Sequence, residues 1–234
     1  MKNDELGRRI NPILHEIYLG RVKAFLIEAK DGSLILVDTG MPKSEMRIIK
    51  YVNSIGKSVK DIKYILLTHA HIDHFGSAAA IKKLSGAHVA INGKGIKYID
   101  GTAGVLLPNP ASLKGFGNKL MFSLFRLSLT LSKPKFLKPD MALKEGIFPE
   151  QMKINAKILE TPGHTEDSIS IWLPDIKTVI VGDLLFGAPD RLANPVFFDD
   201  YIGLLESKKK VEALDPDLIC VAHGKNHNVS DMKE

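Results

Sequence analysis

Within six residues, His69-Ala70-His71-Ile72-Asp73-His74, the chain carries three imidazoles and a carboxylate. They follow directly on Tyr64 to Leu67, a short unbroken apolar run of the kind made by a strand buried on both faces. At the extended end of such a strand His69 and His71 point to one side, because side chains alternate with period two. Where the chain then bends into a helix, Asp73 and His74 swing round to a second position nearby. Two adjacent metal ions would use all four groups. Imidazole with carboxylate suits zinc, manganese or iron, whereas a thiolate would favour zinc more narrowly. Burying several imidazoles beside a carboxylate is costly unless something cationic compensates them, and a metal ion does so. His164 and His223 also stand just past apolar runs or in turns that follow them. The other candidates read as structural: His15 and His88 inside strands, His227 as a solvent-exposed loop residue, and Cys220 as a small apolar side chain in a strand.

These groups need a scaffold, and the surrounding sequence describes one. Leu14 to Leu19, Val22 to Glu28 and Ser33 to Val37 are apolar and β-branched, with Asp31-Gly32 as a hairpin turn. A helix opens near Met41-Pro42, carries Met46, Ile49 and Val52, and closes at Gly56. Ser77 to Leu84 is helical and Ala87 to Ile91 returns to strand. Further strands are predicted at Ala156 to Leu159, Ser168 to Trp172, Thr178 to Val181 and Leu218 to Val221, with a helix from Tyr201 to Leu214. Alternating strands and helices in both halves predict one layered α/β domain over residues 1–234. Residues 101–139 interrupt the alternation. There Leu120, Leu124, Leu127 and Leu131 recur at helical spacing, which predicts a helical insertion.

The net charge of +5 is concentrated in that insertion. It holds six basic residues, among them Lys114, Lys119 and Arg126, and no acidic one; 32 less those six leaves 26 basic against 27 acidic residues elsewhere. Such a local field can draw in an anionic ligand. The stretch lacks the interleaved aromatics of a nucleic-acid platform, so nucleic acid is not the expected partner. A lid beside the site, a contact between two copies of the chain, and a basic amphipathic element on a membrane surface all fit. No run of about 18 uncharged apolar residues predicts a membrane span. The first twenty residues are charged throughout, unlike a cleaved signal, and the single cysteine excludes an internal disulfide. The expected location is the cytoplasm.

The His-x-His-x-Asp-His run resembles the signature of the metallo-β-lactamase fold superfamily. Later segments resemble the rest of that family's pattern in order: Thr161-Pro162-Gly163-His164-Thr165, Val181-Gly182-Asp183 and Ala222-His223-Gly224, with Val37-Asp38-Thr39-Gly40 as the early supporting turn. The resemblance runs from residue 37 to residue 224. It implies an αββα sandwich with the site at one edge. One metal ion would be held by His69, His71 and His164, a second by Asp73, His74 and His223, and Asp183 would bridge them. Asp38 and Thr68 would support the ligands from behind. The chemistry implied is hydrolysis by a metal-bound hydroxide, since bound water loses its proton near a pKa of about 7. Asp73 would help to manage protons.

Departures from known members narrow the choice. Zinc β-lactamases carry cysteine or serine where this chain has Asp183, and flavodiiron reductases carry glutamate where it has His71. Homoserine-lactone lactonases carry a tyrosine where it has Phe186. Glyoxalase II matches all seven ligand positions and the Gly-Asp-x-Leu-Phe run at residues 182–186, but carries a glutathione-gripping helical extension that is not seen after His223 here. The expectation is a hydrolase with two divalent ions, zinc first and iron or manganese as alternatives, acting on an ester, thioester or lactone of a small and possibly anionic molecule. The alternatives are a phosphodiesterase or nuclease of the same fold, and a persulfide dioxygenase with a single iron.

Overall fold

The computed structural model describes residues 5–109 and 134–227. Seven strands form the first sheet in chain order: β1 (Gly7–Arg9), β2 (Leu14–Tyr18), β3 (Lys23–Glu28), β4 (Leu34–Val37), β5 (Ile62–Leu66), β6 (His88–Asn92) and β7 (Met141–Leu143). The first four run antiparallel, joined by short turns, and β4 to β7 run parallel. Parallel neighbours need crossovers. Helix α1 (Glu45–Ser54) supplies one, and α2 (Ile72–Phe75) with α3 (Ala78–Ser85) supply the next. Beyond β6 lies α4 (Ile96–Ile99). The second sheet has the order β14-β11-β10-β9-β8, from β8 (Gly146–Ile147), β9 (Lys157–Glu160), β10 (Ile169–Leu173), β11 (Thr178–Ile180) and β14 (Leu218–Cys220). Its β11 and β14 are parallel, bridged by α5 (Tyr201–Glu212), and a small ribbon pairs β12 (Phe186–Gly187) with β13 (Leu192–Ala193).

Period-two alternation sorts the apolar side chains into three cores. In β4, Leu34 and Leu36 face the α1/α3 layer with Ile48, Val52 and Ile81, whereas Ile35 and Val37 face the second sheet with Ile158, Ile171 and Ile180. On the far side of that sheet Trp172, Val179 and Ile219 pack with Leu204 and Val211 of α5. The layers are therefore helix, sheet, sheet, helix. Strand β3 reads almost continuously apolar because it is covered on both faces, and each such buried Leu, Ile or Phe is worth about 1.5–3 kcal/mol.

The expected strands are present to within a residue or two at their ends, and five short ones (β1, β7, β8, β12, β13) are additional. Helix α1 differs in face. It starts at Glu45 and buries Ile48, Tyr51 and Val52, while Met46 is exposed. Residues at i, i+3 and i+4 form a tighter stripe than the i, i+3, i+6 set that the sequence suggests. The stripe Leu120, Leu124, Leu127 and Leu131, with Lys114, Lys119 and Arg126, lies outside the described residues. No helix among the described residues is long and apolar enough to cross a membrane.

Candidate metal centre

The residues that could do chemistry stand at strand ends along one edge of both sheets. Asp38 follows β4, and His69 and His71 follow β5. His71 caps α2, which carries Asp73 and His74 on its single turn. His164 follows β9, Asp183 follows β11 and His223 follows β14. Gly163 has φ +134 and lies so near Leu204 of α5 that a Cβ would stand 2.4 Å from that backbone nitrogen, so only glycine lets the His164 turn sit against the helix. Donor atoms of His69, His71 and His164, of His69, His74 and Asp183, and of Asp73, His74 and His223 each lie within 4.8 Å of one another. All seven expected site residues are thus brought together.

Hydrogen bonds at the outer rim fix which nitrogen of each ring faces inward. His74 Nδ1 donates to Asp38 Oδ2 at 2.8 Å, His164 Nδ1 to the Phe197 carbonyl at 2.7 Å, and His223 Nδ1 to the Arg21 carbonyl at 2.7 Å. The Thr68 hydroxyl donates to Asp38 Oδ2, so it accepts from His69 Nδ1 at 3.1 Å. Carboxylates and carbonyls only accept. Four rings are therefore held with Nδ1 as donor and Nε2 pointing inward. There His69 Nε2 and His164 Nε2 each lie 3.0 Å from His71 Nδ1, which can donate to only one of them. His223 Nε2 lies 3.3 Å from Asp73 Oδ2 and 3.4 Å from Asp183 Oδ2. His74 Nε2 and Asp183 Oδ1 are buried without a hydrogen-bond partner, 3.4 Å apart.

Charge in the cluster is uneven. Burial, then the neighbouring imidazoles, holds His69 well below its ordinary pKa and His71 at about 3. Burial also opposes the charge on His74 and His223, but Asp183 and the other carboxylates outweigh it, raising His74 well above its usual range and His223 to about 10. Against burial, His74 and His223 hold Asp73 at about 2, and His223 and His74 hold Asp183 well below the usual carboxylate range. Converging ring nitrogens, orphaned buried atoms, and two ionised carboxylates whose charge is balanced by protons on His74 and His223 fit a cationic centre, in which a metal ion would take the place of those protons. The donor set of imidazole and carboxylate fits a transition-metal ion.

Outside the cluster, the reading of Asp38 as a support for the ligands agrees with its position: its carboxylate also accepts from the Thr68 amide at 2.8 Å. His15 is buried between Tyr51 and Glu28, Cys220 is buried with its thiol pKa pushed up by burial, and His88 is exposed. His227 differs from expectation. It is buried, with Nε2 donating to the Ala188 carbonyl and its backbone paired with Ile219. The Phe197 and Arg21 carbonyls were not foreseeable, since a main-chain acceptor has no side-chain signature.

A cleft opens on the cluster. His71, Asp73, His164, Asp183 and His223 form one end of it, and apolar side chains form the rest.

Residues 17–223 match the sequence profile of the metallo-beta-lactamase superfamily. The chain is 26% identical over 224 residues to the "probable metallo-hydrolase YflN" of Bacillus subtilis, covering 89% of this chain and 81% of that one. It is 28% identical over 176 residues to the hydroxyacylglutathione hydrolase GloC of Haemophilus influenzae, 74% of each chain. A metallo-beta-lactamase family protein from Thermus thermophilus superposes with a TM-score of 0.71 at 18% identity, covering 96% of this chain and 78% of that one, a likeness of fold.

Proposed function

This chain belongs to the metallo-β-lactamase superfamily and is one of its metal-dependent hydrolases; from that premise we propose that it cleaves an ester, thioester or lactone of a small molecule at a two-metal centre. The observation that carries the reading is the set of four imidazoles locked with Nε2 turned inward, in one cluster with His71, Asp73 and Asp183. His69, His71 and His164 would hold one ion, Asp73, His74 and His223 the other, and Asp183 both. Zinc suits the donors, and so do iron and manganese. The bound ions would supply Lewis acidity and a water acidified to a pKa of about 7.

The chain's own residues do the rest. Asp38 and Thr68 hold His74 and His69 in one tautomer. The Phe197 and Arg21 carbonyls do the same for His164 and His223. Asp73 is part-exposed at the cleft, where it can take the proton of the attacking water and deliver it to the leaving oxygen or sulfur. The apolar walls exclude bulk water from the carbonyl carbon. An acyl substrate is favoured by the likeness to a hydroxyacylglutathione hydrolase.

Elemental analysis of active protein tests the two-ion reading, with close to two ions per chain expected and one ion overturning it. Metal-loaded protein is assayed on p-nitrophenyl esters, lactones, thioesters and bis-p-nitrophenyl phosphate. His71→Ala and His223→Ala should abolish ester turnover, and Cys220→Ser should leave it nearly intact. Turnover of the phosphodiester alone would make the protein a phosphodiesterase. One iron with oxygen uptake would make it a dioxygenase.

A further inference from the structure

Resting on that hydrolase reading, the geometry points to an apolar acyl group as the part of the substrate that the centre holds, laid along a wall of Leu106, Pro108, Leu185, Phe186, Val196 and Phe197. Beyond the ligand end, the described lining of the cleft is apolar and includes no lysine or arginine. Methylene groups laid on that surface would leave water for hydrocarbon.

The wall is built into the centre. The backbone of Leu106 bridges to His71, the Phe197 carbonyl accepts from His164 Nδ1, and Gly187, next to Phe186, donates its N–H to the His223 carbonyl at 2.9 Å. Each of three ligands is thus tied through main chain to the residue, or its neighbour, that supplies apolar surface. The wall keeps its register with the ligands, so an acyl chain lying on it has its carbonyl carbon delivered to the same place each time. At the mouth, Phe186 and Val196 are exposed large apolar side chains beside the buried Leu185 and the half-buried Leu106, Pro108 and Phe197. A bound chain would cover them. Exposed apolar surface concentrated at a cleft marks a binding surface rather than ordinary scatter.

Burial of one methylene corresponds to roughly a fourfold gain in affinity. The test is kcat/KM for p-nitrophenyl acetate, butyrate and hexanoate in the metal-loaded protein and in Phe186→Ala. In parallel, calorimetry measures binding of acetamide and hexanamide. A rise of at least tenfold from acetate to hexanoate is expected. Phe186→Ala should lower kcat/KM about three- to tenfold more on hexanoate than on acetate. Hexanamide should bind at least tenfold more tightly than acetamide. Ester turnover with no chain-length preference would overturn this proposal and leave the hydrolase reading standing. Preferential binding of hexanamide with no ester, thioester or lactone turned over would support the wall and sink the proposed acyl-hydrolase activity. Equal binding of the two amides would sink the wall whatever the turnover.

Discussion

Asp38 Oδ2 lies 2.8 Å from His74 Nδ1 while the same oxygen accepts the Thr68 hydroxyl, which in turn orients His69. One carboxylate therefore sets the tautomer of two rings. Asp38 can do this because it adopts φ +61, a left-handed conformation that aspartate and asparagine tolerate better than most residues. Asp38→Asn keeps that backbone but must place an amide N–H₂ where one of the two oxygens now accepts. Turned toward His74, the amide would make Nδ1 an acceptor and leave the proton on the inner Nε2. The expected result is a loss of about 10–100-fold in metal affinity, read by chelator competition, with the circular dichroism unchanged. Unaltered affinity would show that the tautomer is fixed by something else.

A second carboxylate works at a distance from the cluster. Glu16 is buried and accepts from Tyr18 at 2.8 Å and Asn226 at 2.7 Å, with Arg8 and Lys23 beside it. Lys23 Nζ donates to Asn226 Oδ1 at 2.6 Å, and the Lys23 amide donates to the Ala222 carbonyl. The loop that carries His223 is thus fastened to β2 and β3 by buried charges. Burial pulls the Lys23 pKa down and Glu16 pulls it back up. Lys23→Met leaves Glu16 without its buried cation and should cost about 3–5 kcal/mol in urea unfolding. Glu16→Leu together with Lys23→Met should recover most of that. Equal losses in the single and double variants would mean the two charges are not coupled.

Asp167, in the turn between His164 and β10, is fully buried, and neither of its oxygens reaches a donor in hydrogen-bonding geometry. Burial pushes its pKa up to about 6, only partly offset by the nearby Thr165 hydroxyl and Ala70 amide. The folded pKa lies above the unfolded value of 3.8, so the folded state binds this proton more tightly. The corresponding stability is present below about pH 4 and is lost as pH rises through 6. The stability of the wild type relative to Asp167→Asn should fall by roughly 3 kcal/mol between pH 3.5 and 7, and then level off. A difference that does not change with pH would show the carboxyl stays in one form throughout.

Much of the cluster is legible in the sequence because most of its candidate ligands stand just past the end of an apolar run, and such runs are the strongest local signal for strands. The His69 to His74 cluster needs only that and the turn of helix that follows. The face of α1 is not legible, since Met46 is as apolar as Ile48 and only the sheet beneath decides which is covered. The burial of His227 is hidden because a loop histidine looks the same in sequence whether or not a carbonyl such as that of Ala188 waits for it. The apolar wall leaves no sequence trace. Leu106 and Phe197 lie in irregular segments without periodicity, and their place beside His71 and His164 is set by main-chain bonds across long separations.

Those separations govern when the centre can exist at all. His69, His71, Asp73 and His74 belong to the first sheet, and His164, Asp183 and His223 to strand ends of the second. During synthesis the first four emerge long before the others, as an incomplete donor set with nothing to close it. Contacts this far apart in sequence form late in folding. The proposed metal centre would therefore be a clasp that shuts only after both sheets have met. An ion caught early by the first half would also be held by the unfinished chain, and a ligand that binds the unfolded state erodes the stability it would otherwise add.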